Sequence, residues 1–157
     1  GRGERVQVGG EFKIDFDPDA YAPNADYDGD GRFVLYDFRH HYYGRIGDFD
    51  SIEEFECACW LDQQAERGRI RFWVRNLVRK QGASFFLQKA DGRFHPDFIC
   101  ALPDGRTLVV EYKGAQGWTD AEDDRLIGAL WEELSGGACR FVMVRDRDWS
   151  SIDAALE

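Results

Sequence analysis

From residue 50 to 66 the chain places Ile52, Phe55, Ala58, Cys59, Asp62 and Ala65 at roughly helical spacing. Ser51, with Glu54 three residues on, is a capping-box signature, and Gly68 stops the pattern. A helix is predicted from about residue 52 to 66. The periodicity then changes to alternation: Ile70, Phe72 and Val74 against Arg71, Trp73 and Arg75 predict a strand over 69–77, and Phe85-Phe86-Leu87 a short further one. Residues 96–102 read as a strand entered through a proline, Pro103-Asp104-Gly105-Arg106 as a turn, and residues 107–113 as the hairpin partner. Thr119 and Glu122 form a second capping box, opening a helix whose stripe is Leu126, Ile127, Leu130, Trp131 and Leu134 and which ends at Gly136-Gly137. Residues 139–144 make a last strand, and an acidic tail closes the chain.

Ahead of these elements lies a lead-in rich in Asp, Gly, Tyr and Phe, where the alternation over 32–38 suggests a strand after the turn Asp28-Gly29-Asp30-Gly31. Asp26-x-Asp28-x-Asp30-Gly31 matches the opening of a calcium-binding EF-hand loop, with Asp37 at its twelfth position. Two amphipathic helices should flank such a loop, and strands stand there instead, so an acidic hairpin turn is expected. The division that follows is an irregular β-rich extension over 1–49, a core over 50–148 and a tail over 149–157. The order of elements is that of an α/β sandwich, one mixed sheet flanked by helices.

The 157 residues, 43% of them apolar, suffice for one core. The longest apolar run, Phe98 to Leu102, is far too short to span a bilayer, and no signal-peptide pattern opens the chain, so a cytoplasmic protein without membrane association is expected. The first residues are Gly-Arg-Gly and the single methionine is Met143, which suggests a piece of a longer protein. Cys57, Cys59, Cys100 and Cys139 form no CxxC pair and have no His at zinc-finger spacing; they are expected to be reduced core filler. No phosphate-binding GxxxxGK[ST] occurs, so ATP hydrolysis is not expected of these residues. A net charge of −10 argues against indiscriminate nucleic-acid binding and leaves only local attraction. The stretch Arg67, Arg69, Arg71, Arg75, Arg79 and Lys80 is the candidate for contacting phosphates; its plain alternative is a solvated strand edge.

Candidate chemistry concentrates in His95-Pro96-Asp97-Phe98 and Val109-Val110-Glu111-Tyr112-Lys113. Strand alternation puts Glu111 and Lys113 on one face, and the tight turn brings Asp97 opposite the far end of the partner strand, near Lys113. Two carboxylates side by side repel unless a cation lies between them. Magnesium, which takes oxygen ligands and keeps several waters, needs little more than such a pair and substrate phosphate oxygens; manganese is expected to substitute. Asp97 and Glu111 are thus the candidate metal ligands, and Lys113 the cation that orients water or offsets transition-state charge, a set suited to phosphodiester hydrolysis.

Pro96-Asp97 followed by Glu111-x-Lys113 resembles the PD-(D/E)xK nuclease superfamily. Residues from about His40 to Val144, with His41-Tyr42-Tyr43, Phe55-Glu56-Cys57-Ala58, Trp73-Val74-Arg75-Asn76, Pro96-Asp97-Phe98, Glu111-Tyr112-Lys113-Gly114 and Trp131-Glu132-Glu133, look similar to the C-terminal endonuclease region of type III restriction enzyme nuclease-helicase subunits. The resemblance implies a restriction-endonuclease-like αβββαβ core, a DNA substrate, and an upstream helicase motor or other subunits, with self-association a further option. It also implies a first-helix carboxylate in the metal shell, at the position of Glu56; a surface glutamate is the alternative. His95 stands where the relatives are expected to carry an aromatic such as tyrosine, which favours a structural histidine. Gln116 just beyond the site, with Arg69, Arg71 and Arg75, completes the candidate nucleic-acid contacts, and Trp73 is expected in the core. The rival reading is a catalytically silent nucleic-acid-binding or docking module; a purely structural acidic domain is a third.

Overall fold

A computed structural model describes residues 36–43, 45–46, 49, 51–76, 85–90, 92–118 and 121–157. Its centre is a four-stranded sheet of β3 (Phe72–Arg75), β6 (Phe98–Ala101), β7 (Thr107–Lys113) and β8 (Cys139–Arg145), in that spatial order. The first three run antiparallel, and β8 lies parallel to β7. A parallel neighbour requires a crossover, which α2 (Glu122–Leu134) supplies. Helix α1 (Ile52–Glu66) precedes β3 and packs on it, while α2 and α3 (Ser150–Leu156) both pack on β8. Two small antiparallel pairs stand apart from the sheet: β1 (Tyr36–Asp37) with β2 (Arg45–Ile46), and β4 (Leu87–Lys89) with β5 (Gly92–Phe94). Beside β3 the main chain of His40 and Tyr42 bonds to Trp73, covering that edge.

The α1 boundaries match the predicted helix, but its inner face does not. Ser51 Oγ accepts the Glu54 N–H at 3.1 Å, as the capping signature requires. The buried residues are Glu54, Cys57, Ala58, Leu61, Gln64 and Ala65, and Ile52 is 49% exposed. Two polar residues lie on the inner stripe, so the apolar periodicity points to a neighbouring face. Strand β3 is shorter than the 69–77 expected. Asn76 ends it by turning its amide to the Phe85 and Pro96 carbonyls, at 2.7 and 2.8 Å, and Arg69 lies in the loop ahead of it.

The turn between β6 and β7 is closed by Leu102 N–H to Arg106 O, and Gly105, at φ 90°, supplies the left-handed conformation. Helix α2 starts at Glu122; the predicted cap Thr119 lies outside the described residues. Gly128 lets α2 lie directly on Phe141, and Glu132 Oε2 accepts the Phe141 main-chain N–H at 2.9 Å. The expected tail is instead α3, because Ile152 and Ala155 are buried and Asp153 pairs with Arg69. Trp73 is fully buried, as expected, with Nε1 donating to Asp62 Oδ1 at 3.0 Å. Cys57 and Cys100 are buried, while Cys59 and Cys139 are half-buried; all four are free thiols. The acidic turn around residues 26–31 lies outside the described residues. None of the described helices is long and apolar enough to cross a membrane.

Candidate active site

The register that builds the site pairs Phe98 with Val110 and Ala101 with Thr107. One step beyond that ladder Asp97 falls beside Glu111, two residues short of the expected Lys113. The five-residue turn from Leu102 to Arg106 sets this pairing. Asp97 N–H donates to Glu111 Oε1 at 3.1 Å, and Tyr112 N–H donates to Asp97 Oδ2 at 2.8 Å. Each carboxylate thus has one oxygen anchored by the other strand's residues, leaving the second oxygen for a shared proton or a ligand. Asn76 fixes the approach: its N–H donates to Asp97 O at 2.7 Å, and its side chain holds Pro96 O. Asn76 enters the sequence reading only within the Trp73-Val74-Arg75-Asn76 segment, without a role; its burial at a strand end reveals one.

Burial and the adjacent Glu111 charge push the Asp97 carboxyl well above the ordinary carboxylate range. Burial also raises Glu111, which is 5% exposed, although its bond with Asp97 and the Lys113 ammonium work against the shift. Lys113 Nζ stands 3.6 Å from Glu111 Oε2. The pair therefore holds a proton more readily than two solvated carboxylates would. Asp124 of α2 adds negative potential at Glu111 while its Oδ1 holds Lys89 Nζ at 3.0 Å.

The other sequence candidates stand outside the Asp97, Glu111 and Lys113 set. Glu56, expected to reach the pair from α1, turns outward: its carboxylate is 40% exposed, and Oε2 accepts from Arg147 Nε at 2.7 Å. The inward carboxylate is Glu54, three residues before the buried Cys57, whose thiol is raised by burial and by the charges of Asp97, Glu54 and Glu111. Glu54 Oε1 accepts from Arg75 Nε at 3.1 Å, so Arg75, 11% exposed, is held within the protein. Arg69 sits towards the opposite end of the sheet, bonded to Gln64 and Asp153. Arg71 is exposed at that same end, where its N–H donates to Ala101 O. Gln116 is exposed in the loop following Lys113. His95 packs against Phe86 with ring centroids 5.8 Å apart. Arg79 and Lys80 lie outside the described residues.

Among the described residues no three His, Cys, Asp or Glu side chains form a ready metal cage. The donor set still fits a hard cation, because two carboxylates with one anchored oxygen each can supply part of a magnesium shell that water and phosphate complete. Comparison of the chain with protein-family models, curated proteins and solved structures finds no match.

Proposed function

We propose that the chain is a metal-dependent nuclease domain of the PD-(D/E)xK type, with a restriction-endonuclease-like core, that hydrolyses DNA phosphodiester bonds as the cutting module of a larger helicase-associated restriction protein. The observation that carries the reading is the meeting of Asp97, Glu111 and Lys113 at one sheet end, with the carboxylates tied to each other's strands. The element order α1, β3, β6, β7, α2, β8 also fits that core.

Asp97 and Glu111 would hold magnesium or manganese, and the bound ion supplies Lewis-acid polarisation of the phosphoryl group and a more acidic water. The protein's own contribution is preorganisation. Tyr112 N–H and Asp97 N–H fix the two carboxylates before substrate arrives, so little reorganisation accompanies the reaction. Lys113, partly exposed, is positioned to turn its ammonium from Glu111 towards the scissile phosphate and offset the charge that builds there. Glu54 and Arg75 are paired with each other and so are not available to the substrate.

Plasmid cleavage with manganese, beside calorimetric titration of magnesium and manganese, tests the reading. The chain should nick or linearise the plasmid, and Lys113→Ala should cut at least about 100-fold more slowly while still binding metal. Metal binding that Asp97→Ala abolishes, without cleavage by the chain, would favour the silent docking module. Cleavage unchanged in both variants would end the proposal.

A further inference from the structure

Resting on the nuclease reading, we infer that Arg145, carried on the Trp118 ring beside Lys113, is the side chain that grips the phosphodiester backbone of the strand entering the site. Arg145 closes β8 and is the register partner of Lys113 across the parallel ladder. Partnered residues on neighbouring strands project to the same side of a sheet, about 4.8 Å apart. Its guanidinium therefore shares the face of Glu111 and Lys113. Asp146 N–H donates to Lys113 O at 3.0 Å, which ties the two strand ends together just past this pair.

The loop after Lys113 folds back over it: Gly117 N–H donates to Gly114 O, and a Cβ on Gly117 would sit 3.7 Å from Lys113 Cδ. This fold-back presents Trp118 to two guanidinium groups. Arg125 lies 4.3 Å from the ring centroid and Arg145 5.3 Å, and Arg125 Nη1 also donates to the Trp118 carbonyl. Stacking on an aromatic ring restrains a guanidinium while leaving its N–H edge open to anions. Among the described residues neither arginine has an ion pair with a carboxylate, and Arg145 is exposed.

A molecule of net charge −10 thus sets Arg125 and Arg145 on Trp118, with Arg145 beside Lys113. Such a chain repels a polyanion at long range, so whatever holds the strand must act locally. The arginines of β3 and its flanks do not serve: Arg75 is committed to Glu54, Arg69 to Asp153, and Arg71 is at the far end. A phosphate beside Lys113 would meet Arg145 first.

Fluorescence anisotropy of labelled duplex DNA, single-stranded DNA and RNA of one sequence, without divalent metal, separates binding from turnover. Arg145→Gln should weaken binding several-fold and lower the slope of log K against log salt by about one, the signature of one lost phosphate contact. Trp118→Ala should act in the same direction. Arg71→Gln removes the same charge at the far end and should change neither quantity; a urea midpoint for each variant checks folding. Equal effects of Arg145→Gln and Arg71→Gln, no effect of Arg145→Gln, or no binding by the parent chain would overturn the inference. Manganese cleavage by the parent chain, measured in parallel, reports separately on the nuclease reading.

Discussion

The Arg75 guanidinium meets the Glu54 carboxylate with Nε 3.1 Å from Oε1, and both side chains are largely shielded from water. Removing one charge of a buried pair costs far more than removing one of a surface pair. Glu54→Gln is expected to destabilise the fold by about 3 kcal/mol in urea denaturation. Glu56→Gln, which breaks an exposed contact with Arg147, should cost under about 1 kcal/mol and leave metal affinity unchanged. A larger loss from Glu56→Gln than from Glu54→Gln would return the inward role to Glu56.

The contrast shows where sequence pattern suffices. Helix α1 is legible because Ser51 caps it, Gly68 follows it and good helix formers lie between. Its rotation is not legible, since Glu54 and Gln64 sit on the buried side and the apolar stripe misleads by part of a turn. Asp97, Glu111 and Lys113 were findable because β alternation and a hairpin leave few ways to arrange them. Asn76, Trp118 and Arg145 were not, because their roles depend on which strands become neighbours, and β8 joins β7 only after α2 has crossed over.

Asp97→Asn separates stability from metal binding. Asparagine keeps an oxygen for the Tyr112 N–H and removes the charge beside Glu111, so the metal-free variant should melt no lower than the parent chain. Magnesium at about a hundredfold excess over its Kd should stabilise the parent by about 2.7 kcal/mol and the variant hardly at all. Equal metal-induced shifts in calorimetric scans would remove Asp97 from the ligand set.

Gly128 is expected to be intolerant of any side chain. Alanine in a helix interior ordinarily stabilises by up to about 1 kcal/mol relative to glycine. Here the added Cβ would come 2.3 Å from Phe141 Cδ1, and overpacking of that kind costs about 1–3 kcal/mol. Gly128→Ala should lower the denaturation midpoint, and adding Phe141→Ala should recover part of the loss from overpacking. Additive losses in the double variant would refute the contact as the cause.

His41 makes the fold acid-sensitive. Burial, with the charge of Arg75, lowers its pKa from 6.5 to about 3. Tyr43 N lies 3.1 Å from Nδ1 and Arg75 N 3.1 Å from Nε2, and a proton on the ring would remove the lone pair either amide can use. The folded value is depressed, so the stability is fully present above pH 6.5 and is lost as pH falls towards 3, at up to about 1.4 kcal/mol per pH unit. Unfolding free energies followed from about pH 7.5 down to about 4.5 should be level above pH 6.5 and fall with this slope below it. His41→Gln should flatten it, and an unchanged slope would exclude His41.

The bond between Glu132 and the Phe141 amide has a bearing on assembly. A border strand with vacant amides invites a foreign strand to dock, whereas an acid already clasping one of those amides must be displaced before any newcomer can align. Lengthening the sheet past β8 by a second copy would therefore have to break this bond first.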